Sequence, residues 1–291
     1  SHSYCESRTY PEGKTMTWLL IDGNNLAWRS HYTLGQMTYK DRPVGVLYGV
    51  LRDINFLQKH LRTDHVAVCF DHGTNKRLEL YPQYRKHRAP KTALEKKGRK
   101  EVGEQILTLR TEILPYLGLK NVLFQDGYEA DDVIASVCEN HEDLVIVSND
   151  HDLYQLLRDG VEIWNYKRWY SEDDFKREYG IDPNLWPYIK AISGCVSDNV
   201  KGIKGVGDIT ALKHVKGLLS PNCKATKNII DAKGLALRDK NLRLVKLPFS
   251  GCGPFFLRED VMDFKCWDNV CKEFGFESLV GAASPRIRGR S

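Results

Sequence analysis

Gly127-Tyr128-Glu129-Ala130-Asp131-Asp132-Val133 and, just downstream, Val147-Ser148-Asn149-Asp150-His151-Asp152 place five carboxylates in two short segments. Val133, Ile134 and Val137 continue the first segment as an amphipathic helix. Leu144 to Val147 is an apolar run with its acids at the carboxyl end, as in a buried strand. Carboxylates this close repel one another, and burial penalises their charge further. A divalent cation reverses both effects, because hard cations such as Mg2+ and Mn2+ prefer oxygen ligands. These acids are candidate metal ligands.

Outward from this centre the chain alternates. Thr17 to Asp22 reads as a strand ending in Asp22-Gly23-Asn24-Asn25, and Pro43 to Leu57 carries helical periodicity through Val46, Val50, Ile54 and Leu57. His65 to Asp71 is a second strand, Val102 to Leu117 a helical pattern stopped by Gly118, and Asn121 to Gln125 a third strand. After the Glu129 helix and the Leu144 to Ser148 strand come a helix from about Asp152 to Leu157 and a strand over Val161 to Tyr166. Strands alternating with helices imply a mostly parallel α/β sheet, whose ligands bind beyond the carboxyl ends of the strands. Candidate strands end in Asp22, Asp71 and Asp150. One such Asp is explained as a helix cap. Three, together with Glu129-Ala130-Asp131-Asp132, point to convergence on one rim. Beyond Ser171 helices dominate, with a stop at Tyr179-Gly180-Ile181-Asp182-Pro183 and a helix over Leu185 to Ser193.

Composition sets limits rather than function. The apolar share of 42% and charged share of 28% are those of an ordinary globular chain, and a net charge of +5 identifies no partner. The eight cysteines form no C-x-x-C pair, so reduced thiols in an intracellular, cytoplasmic setting are expected rather than a zinc ribbon or a disulfide framework. No apolar run reaches membrane-spanning length. Ser1 to Thr15 read as a disordered leader or tag, with Met16 a natural start, and Ser284 to Ser291 as a similar tail.

Two further segments carry chemistry. Gly202-Ile203-Lys204-Gly205-Val206-Gly207-Asp208 lies between two helical patterns, the second holding Ile209, Leu212 and Val215 on its inner face. A glycine loop opening a helix offers backbone N–H groups to phosphate. Glycine is also simply what a tight interhelical turn requires. Lys201 and Lys204 beside it favour a grip on one nucleic-acid strand without base reading. The other segment is basic: Tyr84-Arg85-Lys86-His87-Arg88, then Lys91, Lys96, Lys97, Arg99 and Lys100. Nearly free of apolar residues, it reads either as a solvated loop or as a flexible arch that funnels a single strand. In the arch reading Tyr81 and Tyr84 stack on bases while the cations meet phosphates.

Together these pieces resemble the 5′-nuclease superfamily in its phage and bacterial branch. The matching stretches are Ile21-Asp22-Gly23-Asn24-Asn25, Phe70-Asp71, Leu80-Tyr81-Pro82-Gln83-Tyr84-Arg85-Lys86-His87-Arg88, Glu129-Ala130-Asp131-Asp132, Ser148-Asn149-Asp150-His151-Asp152 and Ser197-Asp198-Asn199-Val200-Lys201-Gly202-Ile203-Lys204-Gly205-Val206-Gly207. They occur in the family's order from about Met16 to Val215 and more faintly to Leu247, with nothing matched beyond Gly251. The resemblance implies a PIN-like nuclease domain over 16–180, its mostly parallel sheet flanked by helices, with a basic arch at about 84–104. A helical helix-3-turn-helix DNA-binding region with glycine loop 202–207 follows over 181–291. It implies a monomer acting on DNA with 5′ ends, flaps and single-strand/duplex junctions, using one or two Mg2+ or Mn2+ ions. Asp22, Asp71, Glu129, Asp131 and Asp150 would bind the first metal, and Asp198 a second, adjoining through Asp132 and Asp152. In relatives the glycine loop also binds potassium through its carbonyls while its amides face a phosphate.

Two departures stand out. The family pattern Gly-Asp-x-x-Asp-Asn is here Gly194-Cys195-Val196-Ser197-Asp198-Asn199, so a thiol stands where a carboxylate is expected. A thiol is a poor Mg2+ ligand, which predicts a weaker second site or a Mn2+ preference. Arg85 stands where the family tends to place Lys; it keeps a phosphate clamp but not a neutral amine. The expected reaction is metal-assisted phosphodiester hydrolysis, with Arg85 and Arg88 stabilising phosphate charge. The alternatives are a branched-DNA-binding protein with a decayed second metal site and a PIN-type ribonuclease.

Overall fold

The computed structural model describes residues 17–61 and 63–282. The expected leader at 1–15 with Met16, and the tail from Ser284 to Ser291, lie outside the described residues.

Among the described residues no strand exceeds five residues and none holds more than four apolar residues in a row, so the sheet is built from short buried runs. β1 (Trp18–Asp22) is central. β2 (Val66–Cys69) and β3 (Val122–Leu123) lie on one side, and β4 (Leu144–Val147), β5 (Val161–Trp164) and β6 (Trp169–Tyr170) on the other. The order is β3-β2-β1-β4-β5-β6, parallel throughout except for the β5–β6 pair. Side chains of a strand alternate between faces. Leu19 and Ile21 of β1 accordingly enter one core cluster with the helix Gly45–Leu61, and Trp18 and Leu20 enter the other with Val133, Ile134 and Val137 of the helix Ala130–Asn140. Each such fully buried aliphatic side chain contributes about 1.5–3 kcal/mol.

The expected mostly parallel sheet flanked by helices is therefore present. Several elements differ from the sequence reading. The stretch after Asp22 is helical, Gly23–Leu34, because the Asp22 carboxylate caps it by accepting from Asn25 N–H at 2.9 Å. The basic segment is not a flexible loop: Lys86–Arg88 is a 3-10 turn and Ala93–Thr108 an α-helix. That helix starts at a capping box between Thr92 and Glu95, and a π-helical turn at Leu109–Ile113 follows it. The segment after Asp150 is a 3-10 helix, His151–Leu156.

The helices Trp186–Ser193, Asp208–Val215 and Ala232–Val245 pack together, and Trp186, Ile189 and Ile203 share the second core cluster with the sheet. The chain then returns to its beginning. Asn121 exchanges hydrogen bonds with the backbone of Arg258 at 2.7 and 2.9 Å, and Trp267 and Phe276 are buried in the first cluster beside Leu19 and Ile21. The residues beyond Gly251, silent in the sequence, thus help close the core on the sheet's first face.

Candidate metal centre and nucleic-acid interface

Parallel strands deliver their carboxyl ends to one side of the sheet. Asp22 ends β1, Asp71 lies just past β2 and Asp150 just past β4. The helix Ala130–Asn140 begins against the same edge, because its first N–H, that of Ala130, donates to Asp71 Oδ1 at 2.8 Å. Asp131, one residue further on, thereby enters the cleft.

These groups are near enough for their charges to act on one another. Burial pushes Asp22 up to about 7, with Asp71 and Asp150 adding repulsion, although Asn25 N–H and the Ser148 hydroxyl (3.1 Å) favour its anion. Burial also raises Asp131 well above the usual carboxylate range, followed by repulsion from Asp150 and Asp22. Asp71 is open to solvent at the rim yet crowded by protein atoms; that partial loss of water raises it, against the Ala130 N–H and Arg85. Asp22, Asp71 and Asp131, whose charge burial penalises, together with Asp150, which repels Asp22 and Asp131, are a hard-oxygen donor set suited to Mg2+ or Mn2+.

Asp132 was expected beside them and is not. It is fully buried, and Arg77 Nη1 and Nη2 grip its two oxygens at 2.6 and 2.7 Å. The N–H groups of Phe249 and Glu129 donate to the same carboxylate. Asp132 is a structural anion turned away from the cleft. Glu129 lies between the two environments: its carboxylate accepts from Tyr84 Oη at 2.9 Å and pairs with Arg77 at 3.2 Å and with Arg85.

A second acidic group adjoins the first. Burial and Asp150 lift Asp152 to about 6, with Lys190 Nζ at 3.5 Å opposing them. Asp198 behaves oppositely. Burial works to raise it, but Arg85 and then Arg88 hold it below the usual range, with Arg85 Nε at 2.5 Å and Arg88 Nη2 at 3.0 Å. Cys195 joins these two acids, its ligand atom and theirs lying within 4.8 Å of one another.

Arg85 sits on the roof of both groups with a left-handed backbone at φ 50°. Its guanidinium bridges Glu129 and Asp198. The stacking role expected of Tyr84 does not fit its position: the ring is buried and the phenol donates to Glu129, since burial keeps it neutral. Tyr81 is covered by the Lys240 ammonium at 4.4 Å and donates to Asn199 O. Lys86 is exposed, and Arg88 remains partly open above the cleft. On the far side, Lys201, Lys204, Gly205 and Gly207 are exposed and Gly202 half-buried. His151 faces out and stacks on Tyr154.

Sequence reasoning missed Arg77, Lys190, Ser148 and the role of Tyr84. Ser148 had a signal, lying between the end of β4 and Asn149-Asp150. Arg77 had none, because its partner Asp132 was assigned elsewhere.

The family described as the 5′–3′ exonuclease, N-terminal resolvase-like domain, matches residues 17–180. The chain belongs to this family. Among relatives of this 5′–3′ exonuclease-family chain is the thermostable DNA polymerase I of Thermus aquaticus, 35% identical over 212 residues. That match takes in 70% of this chain and 24% of the polymerase, so the chain spans about a quarter of the curated relative's length. Two solved structures share the fold. A T5 5′-exonuclease with bound divalent metal ions (zinc) superposes with a TM-score of 0.66 at 22% identity, covering 93% of this chain and 98% of that one. The bacteriophage T5 flap endonuclease, in a pseudo-enzyme–product complex with DNA and metal ions, gives 0.67 at 21% identity, covering 92% and 99%. Both likenesses take in the helical region after residue 180 as well as the resolvase-like domain. Among the described residues no helix is long and apolar enough to cross a membrane.

Proposed function

We propose that this chain is a structure-specific 5′ nuclease that hydrolyses DNA phosphodiesters at 5′ ends and flaps with Mg2+ or Mn2+. The observation that carries this reading is the meeting of Asp22, Asp71, Asp131 and Asp150 at one edge of the sheet, where burial raises the first three and Asp71 and Asp150 repel both Asp22 and Asp131. Family membership and the DNA and metal ions named for the T5 flap endonuclease complex support it. Cations held by these four aspartates would supply water activation and neutralise phosphate charge.

The chain's own residues account for the rest. Asp22, Asp71, Asp131 and Asp150 hold oxygen donors in fixed geometry, three at strand ends and one in the first turn of a helix. Arg85 and Arg88 meet the scissile phosphate from the arch, as charge-assisted donors that need no reorganisation. The exposed lysines of the helix Ala93–Thr108 attract the displaced single strand. The loop 202–207, with Lys201 and Lys204, holds the duplex backbone, and its carbonyls are the proposed potassium ligands. Residues 17–180 form the nuclease unit and the helices beyond it the duplex grip, in a chain that acts as a monomer within the cell.

The test is a labelled 5′-flap duplex incubated with Mg2+, Mn2+ or EDTA, with the parent chain and with Asp150→Asn. Cleavage by the parent in either metal, none in EDTA, and binding without cleavage by Asp150→Asn are expected. A gel shift without product in every metal would leave a branched-DNA-binding protein instead, and preferential cleavage of an RNA flap a ribonuclease.

A further inference from the structure

Beside the four-aspartate cleft, Asp152, Cys195 and Asp198 arrive from three separately pinned elements. Asp152 belongs to the 3-10 helix His151–Leu156. Cys195 lies in the two-residue strand Gly194–Cys195, paired with Val200–Lys201, and Asp198 ends the turn Val196–Asp198. Lys190 pairs with Asp152 at Oδ1, and Arg85 and Arg88 hold Asp198 at Oδ1. The remaining oxygens face the buried sulfur: Asp152 Oδ2 lies 3.8 Å and Asp198 Oδ2 3.3 Å from Cys195 Sγ. Ser197 Oγ is 2.9 Å from the same sulfur. Cations on the outer oxygens thus orient both carboxylates, leaving an inner trio of two oxygens and one sulfur, the arrangement in which outer partners position metal ligands.

This trio does not fit the ion that suits the cleft next to it. Mg2+ demands oxygen ligands in a near-octahedral shell, and a thiol supplies neither charge nor affinity for it. A borderline cation of the zinc class takes thiolate sulfur and carboxylate oxygen together, and three protein ligands leave a fourth position open. We infer that Asp152, Cys195 and Asp198 form a thiolate-containing site selective for a borderline divalent cation of the zinc and cobalt class over Mg2+, while the four aspartates beside it keep their preference for hard cations. This deepens the metal-dependent reading above and rests on it. Binding breaks the Cys195 S–H bond and forms a sulfur–metal bond; the proton passes to solvent and no atom changes oxidation state.

Cobalt is the probe. Titrating the full, DNA-free chain with Co2+ should produce a thiolate-to-cobalt charge-transfer band in the near ultraviolet, with proton release. The band should be absent in Cys195→Ser, and Zn2+ should displace it whereas Mg2+ should not. A band that survives in Cys195→Ser, or no band in the parent chain, overturns the site; displacement by Mg2+ as readily as by Zn2+ overturns its selectivity. Cys195→Asp provides a second arm, since it keeps a buried ligand of similar size: calorimetry should show Mg2+ binding gained and cobalt binding weakened, and an unchanged preference counts against the sulfur. None of these readouts needs DNA or turnover, so they can fail while flap cleavage stands, and hold while it does not.

Discussion

Arg77 forks onto both oxygens of Asp132 at 2.6 and 2.7 Å, in a part of the molecule that water does not reach. The pair does more than cancel charge. Arg77 Nε donates to Leu244 O at 2.8 Å, and Asp132 accepts from Phe249 N–H at 2.8 Å. The start of the acidic helix is therefore tied to the end of the helix Ala232–Val245 and to the loop after it. Asp131 and Asp132 are neighbours in sequence with opposite duties, one in the cleft and one beneath it.

Asp132→Ala takes the two-pronged partner from a buried guanidinium and leaves it Glu129 at 3.2 Å, and breaking such a pair costs about 3–5 kcal/mol. Urea unfolding should show a loss of that size, while calorimetry on the folded fraction finds divalent-metal affinity little changed. Asp131→Asn should do the reverse, because the environment of Asp131 already disfavours its anion. Unchanged stability with lost metal binding in Asp132→Ala would restore that residue to the cleft.

Arg85 bridges Glu129 and Asp198, and under the proposed function it meets the scissile phosphate. Losing one preorganised donor to developing charge lowers kcat by about 100–1,000-fold. Arg85→Ala should show a loss of that order in single-turnover flap cleavage, and Arg85→Lys a partial one, since a point charge replaces a planar fork. Because Arg85 is foremost among the groups holding Asp198 down, the Asp198 carboxyl should titrate higher in Arg85→Ala by NMR. Cleavage by Arg85→Ala at the parental rate would remove Arg85 from the mechanism.

What the sequence revealed, and what it hid, follows from the physics of each element. Strands buried on both faces read as apolar runs, so β1, β2 and β4 and the acids at their ends were legible, and with them the edge where Asp22, Asp71 and Asp150 meet. The helix Ala93–Thr108 was hidden from periodicity because most of its residues are exposed, although Thr92 and Glu95 carried a capping signal. The helix Gly23–Leu34 was hidden by glycine and asparagines that look like a turn but follow a capping Asp22. Successive helix residues point about 100° apart, so a Glu-x-Asp-Asp motif does not disclose which carboxylate faces the cleft. Only the position of Arg77 decides that.

The pH dependence of stability has a definite sign. Asp22 rises from 3.8 to about 7 on folding, and Asp152 from 3.8 to about 6. Between these limits the folded chain binds more protons than the unfolded chain, so stability without metal falls as pH rises through the window. Asp131 and Asp71 act in the same direction. Asp198 opposes them only on the acid side, where its stabilisation fades as pH falls below 3.8. In EDTA the melting temperature should decline toward about pH 7, with Asp22→Asn flattening the slope. Saturating Mn2+ should reverse the decline, because ligation requires the ionised carboxylates. A melting temperature in EDTA that climbs across the same range would show that burial does not hold these carboxyls above their ordinary range.

The glycines of the loop 202–207 divide between packing and access. A Cβ on Gly202 would lie 2.0 Å from Ser193 O, against backbone rather than the end of a flexible side chain. Gly205 has φ +77°, which L side chains rarely adopt, and nothing lies near it. Gly207 has an ordinary φ of −97°, open space around it, and the first turn of the helix Asp208–Val215 directly after it. Gly202→Ala should therefore destabilise the fold by about 1–3 kcal/mol through overpacking, and lose DNA binding only as far as it unfolds. Gly207→Ala should melt like the parent yet bind duplex DNA more weakly, because its methyl group stands where a phosphate approaches the exposed N–H groups. Fluorescence anisotropy with a plain duplex, beside thermal melts of both variants, separates the two effects. Undiminished affinity in Gly207→Ala would move the duplex grip from the N–H groups beside Gly207 to the side chains of Lys201 and Lys204.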